Sequence, residues 1–186
     1  MIPSVADCFR YMEQYRMLDN IRDHSIIVAR VAALLVRDAN RAGSNFSLEL
    51  AVAGALMHDI GKTACLDTEE DHARMGMEIC LTHGLDEIAP IVDQHVVLKE
   101  CNGAPLSEKE IVYYADKRVN HDQVVSLEDR LAYILDRYAN GNRQRQAAIL
   151  YNFERCQRLE ARLFKNLTFA PARVAELIDH RLFADE

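Results

Sequence analysis

The stretch LMHDIGKT, Leu56 to Thr63, sets a histidine and an aspartate side by side at the end of the apolar run LELAVAGALM. Residues 51–57 read as a helix entering a core, so His58 and Asp59 are carried inward with it. Burying a carboxylate without partners costs several kcal/mol, and an inward aspartate therefore needs a cation, hydrogen bonds or a shifted pKa.

Working outward, other ionisable residues fall on apolar helical faces. His24 stands in line with Val28, Val31 and Leu35, and His58 shares a face with Ala51, Gly54 and Ala55, small residues that admit a neighbouring helix. His95 follows Ile88, Ile91 and Val92 at helical spacing, and Asp116 lies between Val112 and Val119. A lone inward histidine is more often a hydrogen-bonded core residue than a ligand. Four such positions on four helices, joined by the His58-Asp59 pair, are explained most economically by a shared polyvalent cation. Imidazole and carboxylate donors suit iron, manganese, nickel, cobalt or zinc, with magnesium as a harder option. His72 and His83 share a face but stand roughly 16 Å apart on a continuous helix at about 1.5 Å per residue, so one centre cannot take both. His72, in DHARMG, is the candidate; His83, beside Gly84, reads as a cap or surface group, and His121 and His180 as solvated.

The periodicity elsewhere is helical, with no run of alternating β-branched residues, and the fold class is all-α. One helix runs from near Arg22 to Gly43, a second follows Ser47, and a third spans about Asp71 to His83 before Gly84. A segment covers Asp86 to about Val97, and the capping box Ser107 to Glu110 opens a helix through about Asn120. The polar link Asn120 to Val125 divides a core, residues 1–125, from C-terminal helices, residues 126–186, which pack on the core or pair with a second copy as a homodimer. In that part, Leu150, Phe153, Leu159, Leu163 and Leu167 form a core-like stripe, and Pro171 starts a last helix, ARVAELIDHRLF.

With 186 residues and 49% hydrophobic content the chain can bury one sizeable core. Its net charge of −7 argues against a general nucleic-acid-backbone binder, while small anions remain open where basic residues cluster. Five scattered cysteines, Cys8, Cys65, Cys80, Cys101 and Cys156, suggest neither a disulfide framework nor a zinc knuckle. With neither a leader-like N-terminus nor a membrane span, a cytoplasmic, membrane-free protein is expected.

The ordered set His24, His58-Asp59, His72, His95, Asp116 resembles the HD-domain superfamily of metal-dependent phosphohydrolases, whose common central signature is HDIGK. The resemblance covers about Arg22 to Arg130. HARMGMEI is similar to the segment supplying a second-metal histidine, and IVYYADKRV to the helix carrying the last aspartate. It implies that His24, His58, Asp59 and Asp116 hold one metal, and that His72 and His95, with Asp59 bridging, hold a second. Gln94-His95-Val96 replaces the paired histidines of the cyclic-di-GMP phosphodiesterases, and no GYP motif follows. The nearer likeness is to small bacterial HDIG proteins, including hydrolases of dinucleoside polyphosphates, but no motif settles the substrate.

The implied chemistry is attack on phosphorus by a metal-activated water, on a nucleotide or other small phosphate ester or anhydride. Gly61 is expected to let the backbone turn away after the HD pair. Lys62 is expected at a substrate phosphate, with Lys117 and Arg118 as weaker phosphate-binding candidates or solvent-facing residues. No phosphate-binding loop, nucleophile elbow or Cys-His pair supports covalent catalysis. Two rival readings stand: a di-iron oxygenase resembling myo-inositol oxygenase, which uses the same six ligands, and a non-catalytic regulator that binds a nucleotide.

Overall fold

The computed structural model describes residues 1–99 and 105–183, so Cys101 lies outside the described residues. Helix α1 (Val5–Gln14) opens on a capping box, in which the Ser4 hydroxyl accepts from Asp7 N–H and the Asp7 carboxylate accepts from Ser4 N–H. The long α2 (Asp19–Arg41) follows, and Gly43, at φ +97°, takes the left-handed conformation just past its end. Ser47 caps α3 (Leu48–Met57) by accepting from Leu50 N–H, and every residue from Ala51 to Met57 is buried. That short helix is wrapped on all sides, and its C-cap is His58.

A pair of shorter helices, α4 (His72–Thr82) and α5 (Ala89–Gln94), packs beside α3. Asp71 caps α4 from its N-terminus, which places His72 at the first helical position. Gly54 lets α5 come close, because a Cβ on it would lie 2.9 Å from two side-chain carbons of Ile91, which would have to shift. Helix α6 (Glu108–Lys117) completes the layer against α2 and α3, opened by Glu110, which accepts from Ser107 N–H at 2.9 Å.

The helix expected to reach Asn120 ends at Lys117. Strands β1 (Val119–Asn120) and β2 (Gln123–Val124) then form an antiparallel ribbon, turned at His121 with φ +53°. Its pairing register sets Val119 against Val124, so the polar link read as a boundary is a built element resting on α2. Beyond it, α7 (Leu127–Tyr138) and α8 (Arg143–Leu163) pack as a helical hairpin around Gly141, at φ +72°.

Helix α8 lies along α6. The Tyr113 hydroxyl donates to Asn152 Oδ1 at 2.7 Å and the Tyr114 hydroxyl to Glu160 Oε2 at 2.5 Å. Phe153, Cys156, Leu159 and Leu163 are buried, and Cys156, Leu159, Leu163, Val174 and Ile178 join the same hydrophobic cluster as α2 and α3. Leu150 departs from the expected stripe and is 39% exposed, because one residue's 100° rotation from Ile149 takes it off the inward face. The last expected helix is reduced to a 3₁₀ turn (Pro171–Arg173) and a single turn, α9 (Val174–Leu177). Packing overrides propensity there: the chain opens to an extended conformation at Ile178, and both Val174 and Ile178 are buried. Among the described residues, no helix is long and apolar enough to cross a membrane.

Candidate metal centre

The six residues singled out in the sequence come from five places and meet at one point. His24 comes from the first turns of α2, His58 and Asp59 from the end of α3, His72 from the start of α4, His95 from the C-cap of α5 and Asp116 from the last turn of α6. His24, His58 and Asp59 each place a ligand atom within 4.8 Å of the others, as do Asp59, His72 and His95. Each triad could hold a metal ion, and Asp59 belongs to both. Asp116 joins the first, with Oδ1 at 3.0 Å from His24 Nε2 and 3.7 Å from His58 Nε2.

The backbone decides which imidazole nitrogen faces inward. The Nδ1 atoms of His24, His58 and His95 lie 2.9, 2.7 and 2.7 Å from the carbonyl oxygens of His121, Ala55 and Val92. A carbonyl only accepts, so each Nδ1 carries a proton and donates it, which in a neutral, metal-binding ring leaves the lone pair on Nε2. Those lone pairs converge on carboxylate oxygens and on one another: His95 Nε2 is 3.4 Å from Asp59 Oδ1 and 3.2 Å from His72 Nε2. Among the described residues, the buried His58 Nε2 has no hydrogen-bond partner. Acceptors facing acceptors in a dry site are costly, and a cation among them relieves the conflict. The donor set therefore fits a divalent metal, with the backbone carbonyls as its orienting outer contacts.

Burial pushes the His58 imidazole down to about 3, and His95 and His24 push the same way against Asp59 and Asp116. Burial and the neighbouring His95 bring His72 down to about 4. Both rings are neutral at pH 7, the form that binds metal. Burial pushes Asp59 up, but its neighbours His58, Lys62 and His95 outweigh it and hold the carboxyl well below its usual range. For Asp116 the same contest is won by Lys117 and His24. Both carboxylates stay ionised.

Gly61 serves a different purpose from the turn expected of it. Its φ is not positive, and a Cβ would lie 2.5 Å from the His72 carbonyl oxygen and 2.6 Å from Gly76 N, so its bare backbone is what lets α4 approach. That contact seats His72 beside Asp59.

Lys62 Nζ donates to Asp59 Oδ2 at 2.8 Å and keeps 35% of its side chain exposed, and attraction to Asp59 raises its pKa against the opposing effect of burial. Lys117 Nζ donates to Asp116 Oδ2 at 2.6 Å and to the His95 carbonyl at 2.8 Å. Arg118 is turned away from the centre. Buried, it donates to the carbonyls of Val125 and Pro171 and to the Tyr114 hydroxyl, and so ties the ribbon to the C-terminal helices. His83 caps α4, 2.8 Å from the Tyr15 hydroxyl.

Asp59, His72, His95, Asp116, Lys62 and Lys117 open into a cavity of about 450 Å³. Its far wall comes from α7 and α8, through Arg130, Ile134, Tyr138, Arg145, Ile149 and Phe153. Sequence reading missed these wall residues, because on an amphipathic helix they look like ordinary surface or core. The His121 carbonyl was missed as well, since a backbone acceptor leaves no side-chain signal.

Fold and donor set together define a helical metal-binding domain. A family model described as HD domain matches residues 21–141, and the chain belongs to that family, within the metal-dependent phosphohydrolase superfamily, whose domains bind divalent metals. Ribonuclease Y of Treponema denticola is 43% identical over 60 residues, covering 32% of this chain and 11% of that protein. A tRNA (cytidine(56)-2'-O)-methyltransferase of Thermoplasma volcanium is 25% identical over 178 residues, 95% of this chain and 46% of that one. Its counterpart in Picrophilus torridus is 34% identical over 107 residues, 50% of this chain and 30% of that one. The chain spans less than half the length of these curated relatives. No solved structure gives a significant match.

Proposed function

We propose that the chain is a phosphohydrolase acting on a nucleotide or similarly small phosphate ester or anhydride. The observation that carries the reading is the convergence of inward lone pairs and ionised carboxylates, with His58 Nε2 lacking any other partner, on the floor of a cavity that also holds cations. His24, His58, Asp59 and Asp116 would hold one metal, and His72 and His95 a second, with Asp59 between them. Bound divalent ions supply Lewis acidity and a water acidic enough to attack phosphorus near neutral pH.

The chain's own groups do the rest. Lys62, at the rim, is placed to donate to a phosphoryl oxygen and offset the charge that develops there. Lys117 donates to Asp116 Oδ2 and holds that carboxylate in place. Arg145, exposed at the mouth, is a further contact for a phosphate. At about 450 Å³, the cavity is the size of a nucleotide-scale ligand, and its α7 and α8 wall excludes water on one side.

The names of the relatives specify RNA as what those proteins act on, so short RNA belongs among the substrates tried. The test is elemental analysis of the purified chain, then product formation across mononucleotides, dinucleotides and short RNA, with the metal-stripped protein re-loaded one metal at a time, in air and without oxygen. Metal-dependent hydrolysis that persists without oxygen is expected. Oxygen uptake with no hydrolysis would turn the reading toward the oxygenase, and ligand binding without either reaction toward the regulator.

A further inference from the structure

Among the described residues, two cavities reach the candidate ligands. The larger meets Asp59, His72, His95 and Asp116; a second, of about 210 Å³, meets His24 between the start of α2, the ribbon turn and α7. Lys62, Leu66, Arg130 and Tyr138 line both, so they form a waist beside the metal centre.

The two lobes differ in chemistry. The larger presents Val96, Ile134, Ile149 and Phe153, an apolar slot suited to a flat ring. The smaller presents Arg130 and Arg137 with Asn20 and Asn120, none of the described residues lining it is a carboxylate, and the charge of Lys62 at its edge is already met by Asp59 at 2.8 Å. Cations without a local counter-charge favour an anionic ligand group. Arg130 adds an independent sign. Its Nη1 donates to Asn120 Oδ1 at 2.8 Å, while its buried Nε has no acceptor among the described residues, which leaves its hydrogen bonding incomplete at the waist.

We propose that the substrate is two-armed, a short linear dinucleotide with a 5'-terminal phosphate. The nucleoside that keeps the scissile phosphorus lies in the apolar lobe, and the phosphate-bearing leaving arm lies in the cationic lobe. This rests on the phosphohydrolase reading of the same centre. With 5'-phosphoadenylyl-(3'→5')-adenosine, written pApA, the water oxygen bonds to phosphorus and the bond from phosphorus to O3' breaks. Its electron pair stays on O3', which takes up a proton from the water, so one pApA and one water give two AMP. A monoester fills the apolar lobe alone and is product rather than preferred substrate.

The test is calorimetric titration of the full metal-loaded chain with pApA, ApA and AMP, alongside chromatography of the products. pApA should bind at least about tenfold more tightly than either of the others. Arg137→Ala, at an exposed position, should erase that margin, and Ile149→Asp should weaken all three ligands. Equal affinities for pApA and AMP, or a margin that survives Arg137→Ala, would overturn the two-armed site. Turnover reads the other claim separately: a clear pApA margin with no AMP formed under any divalent metal upholds the two lobes and contradicts the hydrolase reading.

Discussion

The two walls of the site are built on opposite terms. On the ligand side, His24, His58, Asp59, His95 and Asp116 each keep less than a tenth of their surface exposed, and carbonyls of the helices and of the ribbon turn orient the rings. On the facing side, Leu127 is the one buried residue of α7 among those described, and Tyr138, Leu150 and Tyr151 expose 47%, 39% and 56% of their surface. Donors for a cation need fixed positions, which dense packing provides. A wall that meets the variable part of a ligand can be thin, and α7 keeps only Leu127 buried among its described residues.

The largest test of that contrast strikes the shared carboxylate. Asp59→Ala should remove metal from both triads and lower turnover on the order of a thousandfold, read by elemental analysis and product formation. Retained stoichiometric metal would break the bridging role.

Next comes a pair of glycines. Gly61→Ala places a methyl group against backbone on both sides and should cost about 1–3 kcal/mol while loosening the His72 triad. Gly141→Ala has open space around it and meets only the strain of positive φ, about 1–2 kcal/mol, with metal content unchanged. Denaturant melts with metal titrations read both; the reverse order would place the rigidity on the wrong side of the cavity.

Acid should undo the ligand side first. The His58 pKa, about 3 in the fold, lies below its unfolded value near 6.5, so the unfolded chain takes up more protons as pH falls and stability falls with it. For metal-free protein the expected loss between pH 7.5 and pH 5 is about 2 kcal/mol from this ring, and His72 acts in the same direction. Asp59 and Asp116, whose pKa values are depressed, add a further loss below about pH 4. A melting temperature flat from pH 7.5 to 5 would contradict the neutral, buried imidazoles.

Smaller effects belong to the rim and the outer wall. On the proposed function, in which Lys62 donates to a phosphoryl oxygen, Lys62→Ala should lower kcat/KM by about tenfold with full metal content. Leu150→Ser should change stability by less than about 0.5 kcal/mol, as expected for an exposed residue away from the packed face.

The ligand side was legible in the sequence for the reason it is chemically unusual: His24, His95 and Asp116 occupy positions where helical periodicity calls for apolar side chains, and burying them without a purpose would be costly. Helix ends at Gly43 and Gly84 were legible too, and both glycines have positive φ. What stayed hidden depended on tertiary contact. Gly61 looks like any turn glycine until α4 is seen resting on it. Arg118, one residue from Lys117 and two from Asp116, looked like a phosphate contact, but a step of one residue on a helix turns the side chain by about 100° toward Glu160 and Pro171. Arg130, Ile149 and Phe153 face the cavity only because α7 and α8 fold back over it.

The central claim is that these six side chains share two cations. Anomalous diffraction from crystals of the metal-loaded chain, collected at the absorption edge of the bound metal, reads it directly. The account predicts two peaks, one between His24, His58, Asp59 and Asp116 and the other between Asp59, His72 and His95. Peaks elsewhere on the chain, or none in a protein that binds metal stoichiometrically, would contradict it.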